Sequence, residues 1–309
     1  MEATAELEGA LGQHRAELVA YCYRMLGSPF EAEDAVQEAY VRAWRAIDRF
    51  EGRAALRSWL YRIATNVCFD MLSSRERRAR PMDLGPAQEP VMENLHERGE
   101  ATWILPAPDP ADVAVERDTI RLAFVAALQQ LPPKQRAALI LCEVLHWQAT
   151  EAAELLETSV ASVNSALQRA RATLAAADGA PTDAEFDEEL LARYVAAFEA
   201  YDLDRLAQVI REDATQSMPP YDMWIAGRDD IFTWWYGPGI GCKGSRVLPA
   251  GRANGSPAFG QYKPSPDGGY DPWALQVIEL RDGKVAELTF FLDTAALFPL
   301  FGLPPRLGA

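Results

Sequence analysis

Five prolines between residues 81 and 108 (Pro81, Pro86, Pro90, Pro106 and Pro108) constrain this chain more than any other feature. Each removes a backbone donor and pushes the residue before it out of the helical region. No helix can run through the stretch, which reads as a linker. It separates two blocks of helical periodicity, residues 14–80 and 109–176. A short hinge, "AAADGAPTDAE", then leads into a third block, where helix gives way to Gly-, Pro- and aromatic-rich strand patterns. The expected fold is multidomain. An all-α bundle occupies 1–80, the linker 81–108, a helix-turn-helix unit 109–176, a hinge 177–182 and an α+β domain 183–309.

The helical blocks carry clear start signals. In "GSPFEAED" Ser28 stands as N-cap, Pro29 at the first helical position and Glu31 three residues after the cap, a capping box. Val36, Tyr40, Ala43, Ile47 and Phe50 then recur at helical spacing as an inner stripe, with Asp34, Gln37, Glu38, Val41 and Arg45 outside it. In "AALRSWLYRIATNVCFDML", Leu56, Leu60, Ile63, Val67 and Met71 form an apolar stripe, and Trp59, Arg62, Asn66 and Asp70 a second one. A Trp, an Arg and an amide one turn apart can stack on unpaired bases, hold phosphate and read base edges. The plainer reading is a half-buried Trp with snorkelling neighbours.

Charge decides which partners are open to the chain. Its formal net charge is -15, which opposes binding to a polyanion. The basic residues are nevertheless clustered: "SSRERRAR" holds Arg75, Arg77, Arg78 and Arg80, and "LQRARATL" holds Arg169 and Arg171 with no acid nearby. Local patches of this kind can grip phosphate, and the acidic remainder implies a larger partner that supplies much of the affinity. "LPPKQRAALILCEVLHW" reads as a helix with Pro133 near its start, and "QATEAAELLE" as a short helix capped by Gln148 or Thr150. "ETS" is a turn, and Ser159 caps the helix that follows. Val160, Val163, Leu167, Ala170 and Leu174 are spaced to face inward there. Ser162, Asn164, Ser165, Gln168, Arg169 and Arg171 point away and suit insertion into a major groove. An ordinary helical hairpin is the alternative.

"AEDAVQEAYVRAWRAIDRF", "ALRSWLYRIATNVCFDMLSSRERR" and "LPPKQRAALILCEVLHWQATEAAELLETSVASVNSALQRARA" together resemble bacterial extracytoplasmic-function (ECF) sigma factors over about residues 14–176. The resemblance implies two helical domains that act with core RNA polymerase on promoter DNA. It implies that Asp34, Gln37 and Glu38 dock on the clamp of the polymerase β′ subunit. Trp59, Arg62 and Asn66 match the segment that melts and reads the minus-ten element, with Arg75, Arg77 and Arg78 on phosphates. Ser162, Asn164, Ser165, Gln168 and Arg169 match the reader of the minus-thirty-five element, and Arg171 extends that basic surface. Two departures stand out. Glu157 occupies a turn position commonly held by Gly, at a cost of about 1 kcal/mol if φ is positive. Asn164 and Ala166 replace cations of many relatives, which lowers the salt dependence expected of duplex binding.

Residues 183–303 resemble the SnoaL-like extension of some ECF sigma factors, which implies helices on a curved antiparallel sheet forming a cone. Thr182 and Glu185 frame a capping box, and Leu190, Tyr194, Ala197 and Tyr201 make one helix face. "RDDIFTWWYG" reads as a second helix, and "SRVLPAGRANGSPAFGQYKP", "WALQVIEL" and "VAELTFFL" as strands, the last two joined by a hairpin at Asp282-Gly283. Trp224, Trp234, Trp235, Tyr236, Tyr262 and Trp273 line a pocket or fill the core. The rim loop "SPDGGYDPW", with Asp267, Gly268 and Gly269, resembles a loop through which such extensions touch the sigma domains. "TWILPAPD" resembles a linker motif of the same proteins, so Trp103 is expected to dock on the polymerase or on the extra domain. For the apolar "LFPLFGLPPRL", packing on its own domain or on the sigma domains are both open.

No cofactor, metal site or catalytic residue is expected. The three His and four Cys are scattered, and Cys22, Cys68, Cys142 and Cys242 form no CxxC pair. "GPGIGCKG" misses the phosphate-loop spacing at Cys242. No run of apolar residues suits a membrane span and no export signal is evident, so a cytoplasmic protein is expected. A small-molecule ligand or a protein regulator of the C-terminal domain stays open. Two other functions stay open as well. One is a ligand-sensing helix-turn-helix regulator that acts without polymerase. The other is an isomerase or hydrolase in the C-terminal domain, with Asp222 or Asp229 as base.

Overall fold

The computed structural model describes residues 2–47, 56–73, 77–99, 102–109, 121–177 and 187–308. The chain divides into two compact units, Met1–Arg78 with Ile104–Gly179, and Ala79–Trp103 with Ala180–Ala309. These units cut across the three sequence blocks. Both helical blocks fall in the first unit, and most of the proline-rich linker is folded with the C-terminal domain.

In the first unit, α1 (Glu2–Leu26), α2 (Pro29–Ala46) and α3 (Leu56–Leu72) pack as a bundle. Ser28 caps α2 by accepting from the Glu31 amide at 3.4 Å. Val36 and Ala43 are buried and Tyr40 is half-buried, while Phe50 lies outside the described residues. The buried face of α3 is wider than the expected stripe. Leu60 and Val67 share it with Tyr61, Ala64, Thr65 and Cys68, and Ile63 is only half-buried. Tyr21 and Thr65 hydroxyls meet at 2.7 Å inside the bundle.

Beyond the linker come α5 (Leu122–Gln129), α6 (Pro133–Leu139), α7 (Ala149–Leu155) and α8 (Val160–Ala177). Helix α6 ends in a widened turn, Ile140–Val144, closed by the Leu145 amide on the Ile140 carbonyl at 2.9 Å. Gln148 caps α7, its own amide donating to Glu151 Oε2 at 2.8 Å. Ser159 Oγ accepts from the Ser162 amide at 3.1 Å and starts α8. Glu157 sits at φ 51°, the left-handed region that favours glycine, so this turn is strained as its sequence suggests. Val163, Leu167 and Ala170 of α8 are buried, but Val160 is 38% exposed and not part of the inner face.

The second unit is α+β. Helices α9 (Glu188–Ala200), α10 (Leu203–Val209) and α11 (Arg228–Tyr236) pack on a sheet ordered β2-β1-β6-β5-β4-β3. The strands are β1 (Ile210–Ser217), β2 (Trp224–Ala226), β3 (Arg246–Ala253), β4 (Ser256–Pro264), β5 (Tyr270–Arg281) and β6 (Lys284–Phe291). Only the β1–β6 pair is parallel. Asp282 and Gly283, both at positive φ, close the β5–β6 hairpin. Asp187 caps α9; the expected cap residues Thr182 and Glu185 lie outside the described residues. Leu190, Tyr194, Phe198, Trp234, Trp235 and Phe290 belong to the core between helices and sheet. Helix α12 (Thr294–Leu300) puts Phe298 against Tyr262 at 5.1 Å, and Leu303 is buried beside Gly260. The apolar tail thus packs on its own domain, and Leu307 exchanges two 3.0 Å backbone hydrogen bonds with Tyr270.

The linker segment lies along β2, an edge strand. The Gln88 amide donates to the Trp224 carbonyl at 2.9 Å, and Trp224 Nε1 donates to the Gly85 carbonyl at 2.8 Å. The Arg98 amide reaches the Pro220 carbonyl, and the Asp222 amide the His96 carbonyl, each at 3.0 Å. A strand edge otherwise open to water or to another chain is partly satisfied in this way. The short helix α4 (Pro81–Leu84) starts the segment, with Pro81 at its first turn.

Candidate nucleic-acid interface

The α8 surface divides cleanly. Ser162, Asn164, Ser165, Gln168, Arg169 and Arg171 are all exposed, while Val163, Ala166, Leu167 and Ala170 are buried. One side of the helix therefore anchors it, and the other presents two hydroxyls, two amides and two guanidiniums to solvent. Arg171 is tied to Glu143 at 2.5 Å, which places it on the flank. Burial of Ala166 explains its size: a long cation there would need a different helix rotation. Such a face, with short polar side chains toward its N-terminus and cations toward its C-terminus, fits a duplex groove.

Helix α3 is situated differently. Asn66 is exposed, and Trp59 and Arg62 are half-buried. Arg62 Nη2 donates to the Glu154 carbonyl at 3.4 Å, and the Glu154 carboxylate lies 3.6 Å away. The preceding residue, Tyr61, packs on Trp147 with ring centroids 5.2 Å apart, and the Arg57 guanidinium lies over both rings. Arg57 also pairs with Glu17 at 2.8 Å, which links α1 to α3. The α3 stripe thus meets the helix-turn-helix block within one unit, an arrangement that spacing along the sequence could not reveal.

A second seam holds the blocks together. Gln129 Nε2 donates to the Arg24 carbonyl at 3.1 Å. The buried Arg136 donates to the Met25 carbonyl, to Gln129 Oε1 at 2.6 Å and to the Gln129 and Leu131 carbonyls at 3.0 and 3.1 Å. The last carbonyls of α1 lack intrahelical partners and carry the negative end of its dipole, so a cation suits them. Burial pulls the Arg136 guanidinium down to about 10, leaving it charged at neutral pH.

The arginine cluster splits. Arg77 is exposed. Arg75 lies outside the described residues. Arg78 is only 8% exposed and donates to Glu31 at 2.6 Å. In this arrangement Arg78 anchors the end of the bundle and does not face phosphate; a local run of arginines cannot distinguish the two. On α2, Asp34, Gln37 and Glu38 are exposed, and Val41 and Trp44, 42% and 47% exposed, lie along the same helix.

The C-terminal unit contains a cavity of about 200 Å³. Trp234 and Trp235 line it, together with Phe198, Trp273 and Phe290. Trp224 and Tyr262 do not: Trp224 holds the linker, and the Tyr262 hydroxyl donates to the Pro304 carbonyl at 2.9 Å. The linker itself contributes Met92 and Leu95 to the wall. Trp103 is buried, with Nε1 3.4 Å from the Arg98 carbonyl. Asp267, Gly268 and Gly269 form the rim turn, where Arg306 donates to the Gly268 carbonyl at 2.7 Å. Asp222 pairs with Arg98 at 2.8 Å, and Asp229 is exposed; neither lines the cavity. Lys263 and Gln216 do line it and carried no sequence signal, Lys263 being a single polar residue in a strand pattern and Gln216 lying in a segment that shows none. Among the described residues no cluster of His, Cys, Asp and Glu could hold a metal, and no helix is long and apolar enough to cross a membrane.

Comparison with known proteins agrees with this layout. Residues 11–78 match Sigma-70 region 2 and residues 121–174 match Sigma-70 region 4. The ECF RNA polymerase sigma factor SigG of Mycobacterium tuberculosis is 45% identical, over 95% of this chain and 83% of SigG. SigJ of the same organism is 30% identical, over 90% of this chain and 88% of SigJ. The crystal structure of SigJ superposes with a TM-score of 0.60 at 25% identity, covering 98% of this chain and 99% of that one, so the likeness includes the C-terminal extension. The chain therefore belongs to the ECF sigma factors, the RNA polymerase subunits that direct promoter-specific transcription initiation, and it carries a SnoaL-like α+β extension.

Proposed function

We propose that three surfaces divide the work of initiation. The α2 face with Asp34, Gln37 and Glu38 docks on the polymerase β′ clamp, and the exposed Val41 and Trp44 add apolar contact beside the charges. The α3 stripe with Trp59, Arg62 and Asn66 takes the melted minus-ten strand, aided by Arg75 and Arg77. The outward face of α8, from Ser162 to Arg171, reads the minus-thirty-five duplex.

The observation that carries this reading is the seam at Tyr61–Trp147 and Arg62–Glu154. Minus-ten and minus-thirty-five elements are about 25 base pairs apart, about 85 Å of duplex at 3.4 Å per step. Helix α3 touches α7, which packs on the reader α8, so α3 and α8 cannot engage both elements at once. The state described is therefore closed, and promoter binding parts the seam. Two buried donors at the seam, Arg62 Nε and Trp147 Nε1, have no partner among the described residues. Each unmade hydrogen bond costs about 1–3 kcal/mol, which favours an interface that opens when polymerase offers a better one.

The C-terminal domain acts in cis as a regulator without turnover. It holds residues 79–103, the segment that joins the two readers, and so sets how freely they separate. Among the described residues that line its cavity there is no carboxylate, the base that an isomerase or hydrolase would need. The site of action is the cytoplasm, where polymerase works. Fluorophores at the exposed Ser73 and Ala172 test the opening. Their separation should lengthen by tens of ångströms in the complete promoter complex. In transcription with core polymerase, Gln168→Ala or Arg169→Ala should each cost about tenfold on a minus-thirty-five-dependent promoter. An unchanged separation in an active complex would overturn the closed-state reading. Tight, specific duplex binding by the free chain would favour the polymerase-independent regulator instead.

A further inference from the structure

The promoter-reading surfaces make no use of the C-terminal cavity. We infer that it is a binding site for a small, single-ring aromatic anion, an arylcarboxylate or phenolate, and that the bound ligand secures the linker between the two readers. The site stands without the roles proposed above; only its consequence for promoter reading rests on them.

Shape and size come first. A cavity of roughly 150 Å³ holds benzene, and pockets for drug-sized ligands begin at roughly 300 Å³. About 200 Å³ therefore suits one ring with one small substituent. Phe198, Trp234, Trp235, Trp273 and Phe290 give it aromatic walls, which favour a flat occupant.

Charge comes next. Lys263 is the one charged side chain among the described residues that line the cavity. Its ammonium lies over the Trp273 ring, 2.9 Å from the centroid. Burial pulls its pKa down, opposed by the neighbouring Cys242. Cys242 is no counter-charge, because burial pushes its own pKa up and keeps it a thiol. Three neutral polar side chains of the wall are already engaged. Gln216 Oε1 accepts from Trp235 Nε1 at 2.6 Å, and Gln261 bridges Ser245 and Gln276, each at 3.0 Å. The Tyr201 hydroxyl donates to the Trp235 carbonyl at 2.5 Å. Lys263 is thus the cation against which an incoming group can orient, and an acid group on the ligand supplies the opposite charge the wall lacks.

The linker completes the wall. Met92 and Leu95 line the cavity, and the segment on either side is pinned through the Gln88 and Arg98 amides to Trp224 and Pro220. A ligand in contact with Met92 and Leu95 adds apolar burial only while the linker is in place. Its binding energy therefore favours the held linker over a released one.

Benzoate and salicylate serve as probes on the full chain, with benzamide as the neutral isostere and cyclohexanecarboxylate as the non-aromatic one. Tryptophan fluorescence should show saturable binding, with benzoate preferred over each isostere by about tenfold. Lys263→Met should remove the preference over benzamide while benzamide binding persists, and Lys263→Gln should do the same if the methionine variant unfolds. Hydrogen exchange at the Gln88 and Arg98 amides should slow about threefold or more at saturating benzoate, because only the released linker exchanges. No saturable binding of any probe, or equal affinity of the wild-type chain for benzoate and benzamide, overturns the site. Binding with unchanged exchange at Gln88 and Arg98 overturns the coupling to the linker. Transcription with core polymerase in the absence of probe separates these failures from failure of the sigma-factor roles.

Discussion

The seam between the two readers and the core of the C-terminal domain are built on opposite principles. The seam is polar. A buried arginine and glutamine donate to carbonyls at the end of α1, an arginine lies over two aromatic rings, and two buried donors find no partner among the described residues. The core is apolar: Phe198 meets Trp235 edge-on at 5.3 Å, and Ile278 and Leu288 are fully buried beside them. Hydrogen bonds exchange with water at small net gain, whereas buried apolar area has no substitute in solvent. The first interface can open without unfolding either partner, and the second cannot.

The sharpest way to break this contrast is to cut a large apolar side chain from the C-terminal domain. Phe298→Ala removes the ring that packs on Tyr262 and should cost about 3–5 kcal/mol by denaturant unfolding. Because the loss falls on the second unit, the fluorescence signal of Trp147 in the first should unfold at its original midpoint. A single cooperative loss across both would show that the units do not unfold separately.

A smaller effect is expected at the seam. Arg136→Met keeps volume but strips the donors from the Met25, Gln129 and Leu131 carbonyls. The first unit should lose about 2 kcal/mol, and the readers should separate more readily. Measured by titration with core polymerase, affinity should rise, since less energy is spent on opening. Weaker polymerase binding by a folded Arg136→Met chain would mean that the seam is part of the active form.

Much of the architecture is legible in the sequence alone. The cap at Ser28, the turn at Glu157 and the outward set from Ser162 to Arg171 follow from local chemistry, and local chemistry is what sequence spacing records. Strand β1 was hidden for a local reason too. Its register on β6 shifts between Ile210 and Thr215, so Arg211 is half-buried, Glu212 and Asp213 face solvent, and the segment shows no alternation. The rest was hidden because it depends on distant partners. Nothing near Arg78 announces that Glu31, 47 residues away, will bury it. Nothing near Met92 and Leu95 shows that a proline-rich linker will wall a cavity made of residues from 198 onward. The aromatic set divides between the two readings open to it: Trp234, Trp235 and Trp273 line the cavity, Tyr262 is fully buried against the tail, and Trp224 holds the linker.

The mildest test uses acid to sharpen the distinction between the bundle and its seam. Burial alone would raise the Glu17 carboxyl, but hydrogen bonds from Arg57 and His14 outweigh it and hold the group below its ordinary 4.5. A carboxylate with a depressed folded-state pKa contributes stability that is present above the unfolded value and is lost as pH falls through the folded one. The first unit should therefore keep its Tm down to pH 4.5 as far as Glu17 is concerned, then weaken below it. Arg57→Gln should flatten that dependence, because it removes the largest favourable partner of the carboxylate. Arg57 also lies over Trp147, so the same variant loosens the seam at neutral pH, where Glu17 is ionised in either case. A Tm that changes only in acid assigns Arg57 to the bundle alone; a neutral-pH gain in polymerase affinity assigns it to the seam as well.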